Sequence, residues 1–120
     1  MSQKQYIGMV ASEDLSTAQY KIVNVSSGEN MIALRVAAGA GVLGVLNNKP
    51  QSGENATVTV GGLTRCFAGG TVGAGSWISV TASGTGLAAT SGQYILGKSI
   101  TSVASGGYFQ LLVQHNGYRG

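Results

Sequence analysis

GVLNNKPQSGENATVTVGGLTRCFAGGTVGAGSW, residues 44–77, is the stretch whose reading decides the fold. Its apolar opening, part of the run 42–46, stops at Asn47-Asn48-Lys49-Pro50, where proline removes a backbone donor and biases the residue before it towards extended geometry. From 56 to 60 the pattern alternates. Ala56, Val58 and Val60 fall on one side and Thr57 and Thr59 on the other, the period of a half-buried strand. Gly61-Gly62 stands between this run and a second one, 63–67, which predicts a tight hairpin. Ala68-Gly69-Gly70 and Gly73-Ala74-Gly75 flank Val72, and a further strand begins at Trp77.

Outward from that stretch the same grammar repeats. Residues 20–25 (YKIVNV) read as a strand and 26–30 as a turn. Residues 31–36 fit either a strand or one helical turn, ended by Gly39 and Gly41. On the C-terminal side, 78–81, 94–100 and 108–113 read as strands, with turns at 82–86, 91–92 and 105–107. In the last strand Phe109, Leu111 and Val113 share one face, and Tyr108, Gln110 and Leu112 the other. Turn signals every 8–12 residues or so between short strands predict a mainly β chain. The expectation is one compact β-barrel-like or sandwich domain over 19–116. An extended N-terminal arm precedes it (1–18), and a short tail comes after it (117–120). The arm is polar except for Tyr6, Ile7, Met9 and Val10, a small apolar knot that reads as an interface with a partner or a neighbouring copy.

The 120 residues suffice for one core. Only 9% are charged, against about 25% in an average soluble domain. A surface of Ser, Thr, Asn, Gln and Gly suits burial against neighbouring subunits. The net charge of +3 comes from seven basic residues spread evenly, without the patch that nucleic-acid binding needs. No signal peptide or membrane span is expected, and the lone Cys66 reads as a small core residue rather than a nucleophile or metal ligand.

Two familiar patterns fail on context. Gly92-Gln-Tyr-Ile-Leu-Gly-Lys98-Ser99 spells a phosphate-binding loop. Its middle residues belong in a strand, however, and residues 100–107 are β-branched and glycine-rich rather than helical. Gly39-Ala-Gly-Val-Leu-Gly44 spells a dinucleotide fingerprint, yet 47–50 would end the required helix at once. His115 is the one histidine, and Glu13, Asp14, Glu29 and Glu54 form no evident acid–base pair. No enzyme activity, nucleotide, cofactor or metal is expected.

The ordered set Gly44-Val-Leu-Asn-Asn-Lys-Pro50, Gly53-Glu54, Ala56, Val58, Gly62 and Ala68-Gly-Gly-Thr-Val72 with Ala74-Gly75 resembles the small capsid decoration (cement) proteins of tailed bacteriophages. Gly84, 97–100 and 111–113 continue the resemblance, and Ser76 stands where the family usually has aspartate. The resemblance implies a β-barrel-like virion protein made in the host cytoplasm. It would bind the major capsid protein on the outer surface of the head, often as homotrimers, and cement the lattice without nucleic acid, nucleotide or membrane. Residues 68–77 also resemble the turn of biotinyl and lipoyl carrier domains, although Lys49 and Lys98 lack the usual neighbours of a modified lysine. A part of another assembly, such as a phage tail or a surface layer, is the remaining alternative.

Overall fold

The computed structural model describes residues 5–25, 31–34, 42–81, 83–90 and 92–114. These form nine strands and no helix: β1 Gln5–Ala11, β2 Ile22–Val25, β3 Met31–Ala33, β4 Gly44–Leu46, β5 Asn55–Phe67, β6 Trp77–Val80, β7 Gly86–Ala88, β8 Gly97–Ser99 and β9 Tyr108–Val113. The expected turn at 26–30, most of the glycine-rich run after 36 and the C-terminal tail lie outside the described residues.

The first five strands close on themselves. β1 pairs in parallel with β3, and β3–β2, β2–β4, β4–β5 and β5–β1 are all antiparallel. The result is a five-stranded barrel, and closure removes the unpaired edges that an open sheet would carry. The remaining strands continue from the second half of β5 as a sheet in the order β5–β9–β8–β6–β7. The chain is therefore all-β, a barrel with a second layer packed on it.

Two cores correspond to these two layers. Ala11, Leu15, Ala18, Val23, Ile32, Leu46, Ala56 and Val58 fill the barrel. Ile22, Val42, Val45, Cys66, Ala68, Val72, Ile78, Val80, Leu96, Phe109, Leu111 and Val113 fill the space between barrel and second sheet. Strands β2 and β4 serve both. Val23 and Leu46 point into the barrel, whereas their chain neighbours Ile22 and Val45 point the other way, into the second core. A strand buried on both faces needs an unbroken apolar run rather than alternation, which is why 42–46 and 20–25 show so little of it.

Two expectations are corrected here. Gly61-Gly62 makes no hairpin, because β5 runs straight through it for 13 residues. The pairing with β1 slips at this point: Gln5 lies opposite Gly61 and Tyr6 opposite Thr59, leaving Val60 as an extra residue. Gly62 sits at φ +90°, which glycine adopts without a steric penalty. Bulge and glycine together bend the strand instead of reversing it. Its first half pairs with β1 and β4, and its second half with β9, more than forty residues away in sequence.

The second correction concerns the N-terminus. Residues 5–11 are extended, as expected, but they lie against their own domain, bonded to β5 on one side and β3 on the other. Leu15 and Ala18 also enter the barrel core, so no boundary falls at residue 18. Smaller differences are local. Residues 31–33 resolve as a strand, and the expected strand 94–100 shortens to β8. Val60 is half-buried while Thr59 is fully buried, its hydroxyl taking a hydrogen bond from Asn47 Nδ2.

Cys66 is a core residue, as its strand position implied. Burial pushes its thiol up to about 12, opposed by a hydrogen bond with the Gly86 backbone. The thiol therefore stays protonated at neutral and mildly alkaline pH, and it is shielded as well. The expected result with a thiol-specific chromogenic disulfide at pH 8 is no reaction in the folded protein and one equivalent in denaturant. Rapid labelling without denaturant would contradict this placement.

Candidate interaction surface

The described residues enclose no pocket and bring together no group of three His, Cys, Asp or Glu side chains. What they do build is an exposed face. In the second sheet Phe109, Leu111 and Val113 point inward, as do Thr64 and Cys66 opposite them, so the alternate residues point out. Direct pairing sets them in rows. Trp77, Lys98, Leu112 and Leu63 line up across β6, β8, β9 and β5. Gln110 and Arg65 form the next row, beside Ile100, whose amide bonds to the Gln110 carbonyl. Tyr108 and Phe67 form the third.

This face is unusually apolar for an exposed surface. Trp77, Ile100 and Tyr108 are 37%, 47% and 49% exposed, three of the five large hydrophobic residues that the described part of the chain leaves open. Lysine and arginine sit among the rings. Lys98 Nζ is 5.0 Å from the centre of the Trp77 ring, Lys21 Nζ is 5.8 Å from that of Phe67, and Arg65 Cζ is 6.0 Å from that of Tyr20. Tyr108 meets Tyr20 and Phe67 edge-on, at 5.6 and 5.2 Å between centroids.

Tyr20 holds the corner of this arrangement. Its φ of +67° is the one positive value at a non-glycine position among the described residues. That conformation costs about 1–2 kcal/mol for an L-residue. Two backbone bonds fix it there: its amide donates to the Leu46 carbonyl (2.7 Å), and its carbonyl accepts from the Phe67 amide (2.9 Å). Below it a polar cluster ties barrel to sheet. Thr64 Oγ1 donates to Asn47 Oδ1 (3.1 Å), and Gln19 Nε2 donates to the Asn47 carbonyl (3.0 Å).

The residues singled out from sequence fare differently. Tyr6 is 49% exposed, but Ile7 and Met9 turn in against the barrel core and Val10 is half-buried. The strand period that separates Tyr6 from Ile7 thus splits the expected knot into an inner and an outer half. The closing glycines of both look-alikes prove to be sheet packing, and residues 39–41 of the one that ends at Gly44 lie outside the described residues. A Cβ on Gly44 would lie 2.2 Å from the Thr59 carbonyl oxygen, and one on Gly97 2.0 Å from that of Leu112. These glycines let two strands approach, and no helix succeeds either. The outer face itself was half-visible in the alternation of 108–113. Nothing in the sequence said that Trp77, Lys98 and Leu63 would join it.

No protein-family model matches the chain, and no curated protein does. Among solved structures the chain is similar to the head fiber gp8.5 N base in bacteriophage phi29. The TM-score is 0.73 at 14% identity, over 98% of this chain and 100% of that one. At that identity the likeness is one of fold, and it extends from end to end.

Proposed function

We propose that this protein is a structural component of a bacteriophage head. In this reading it sits on the outer surface of the shell, bound to the major capsid protein, and stabilises the lattice, in homotrimeric groups. The observation that carries the reading is the end-to-end similarity of fold to a phage head fiber base. The decoration-protein resemblance of 44–75 points the same way on independent grounds, namely residues rather than backbone path. A surface with few charges and an open apolar face also suits repeated weak contacts, which symmetry multiplies into firm attachment.

The test uses heads of the parent phage that lack this protein. Purified protein added to them should co-sediment to a saturating number of copies per head, and decorated heads should survive heating or low salt better than bare ones. Failure to co-sediment at any concentration overturns the proposal. Binding without any gain in head stability favours a second reading, prompted by the neighbour's description as a fiber base: the domain is a foot that attaches something longer. Electron micrographs of the native particle would then reveal projections.

A further inference from the structure

We propose that the outer face of the second sheet is the seat of a second copy of this chain, which docks the acidic end of its barrel there. The basis is that cations and acids stand on different surfaces of the molecule. Arg65 and Lys98 stand on the sheet face with Lys21 at its corner, and no carboxylate lies among its rows. Among the described residues none of these cations is paired with an acid; each lies instead over an aromatic ring. The described acids, Glu13, Asp14 and Glu54, are all on two adjoining loops at one end of the barrel. Those loops are joined by bonds from the Ala11 amide to the Glu54 carbonyl and from the Gly53 amide to the Ala11 carbonyl. Lys49 shares that end, so among the described residues it carries three acids and one base.

The carboxylates are held in place by backbone donors. Glu13 Oε2 accepts from the Leu34 amide (3.0 Å), Glu54 Oε1 from the Gln51 amide (2.7 Å) and Asp14 Oδ1 from the Ser16 amide (3.0 Å). Asp14 also takes a hydrogen bond from the Ser16 side chain, which helps hold its carboxyl below the usual carboxylate range. An end-to-face contact sets carboxylates against Arg65, Lys98 and Lys21 while covering Trp77, Ile100 and Tyr108. Such a contact is heterologous, so it generates a ring if it closes and a filament if it does not.

This inference concerns how copies meet and stands apart from what the assembly coats. The experiment needs only the purified protein. Wild type should sediment as an assembly at low salt and dissociate as salt rises, because exposed charge contacts are screened. Reversing the face (Arg65→Glu with Lys98→Glu) or the end (Glu13→Lys with Glu54→Lys) should weaken association at least tenfold, with melting curves confirming that each variant folds. Mixing the two reversed variants should restore assembly, since each then presents what the other lacks. The proposal is overturned by a wild type that stays monomeric, by association that neither salt nor either reversal affects, or by a mixture that remains monomeric. A result of that kind leaves head binding to be judged by its own sedimentation test.

Discussion

Removing residues 1–11 abolishes the cooperative melting transition. β1 is bonded along both edges, six of its residues to β5 and two to β3, so its loss opens the barrel and exposes two unpaired strand edges at once. It also withdraws Ala11, Ile7 and Met9 from the barrel core. Burying each of the larger two contributes up to ~1.5–3 kcal/mol, and backbone pairing adds to that. The total is comparable with the ~5–15 kcal/mol that holds a domain of ordinary stability together. Circular dichroism against temperature is the measurement. A truncated protein with a sharp, near-native transition would mean that the barrel tolerates a gap and that the strand is peripheral after all.

Gly97→Ala destabilises the second sheet by about 2–4 kcal/mol, at or beyond the upper range for overpacking. The added carbon would sit 2.0 Å from the Leu112 carbonyl oxygen and 2.9 Å from its carbon, and both are backbone. No side chain can swing aside, so β8 must draw away from β9. That strains the bonds beside the site, including the one from the Gln114 amide to the Leu96 carbonyl. Gly73→Ala is the control: its nearest neighbour would be Ser76 Oγ at an ordinary 3.7 Å, and its φ is not positive. Urea midpoints for the two variants should differ clearly. Equal midpoints would show that the two strands have room to part.

Much of the architecture is legible because burial leaves a period in the sequence. Phe109, Leu111 and Val113 announce the inner face of β9, and all three are buried. Other features leave no such mark. Two glycines in a row mean a reversal when the next strand pairs back on its predecessor and a bend when it does not. At Gly61-Gly62 the deciding partner is β9, whose identity no local pattern records. The N-terminal strand is obscure for a related reason. Tyr6, Ile7, Met9 and Val10 look like an isolated knot when taken alone, whereas their meaning depends on pairing with Thr59 to Asn55 across a long loop closure. The outer face is hidden in the same way: Trp77, Lys98, Leu112 and Leu63 lie on four strands and become neighbours only through register.

β5 gives the molecule a mechanical character of its own. Layers joined only by side chains can slide or peel, because each contact yields separately. Here a single length of extended backbone is woven into both layers, from Asn55 in the barrel to Phe67 in the sheet. A pull on one layer is carried into the other by covalent bonds under tension, with ladder hydrogen bonds loaded side by side. The domain has no seam along which to tear, so it bears strain as one body until it gives way as one.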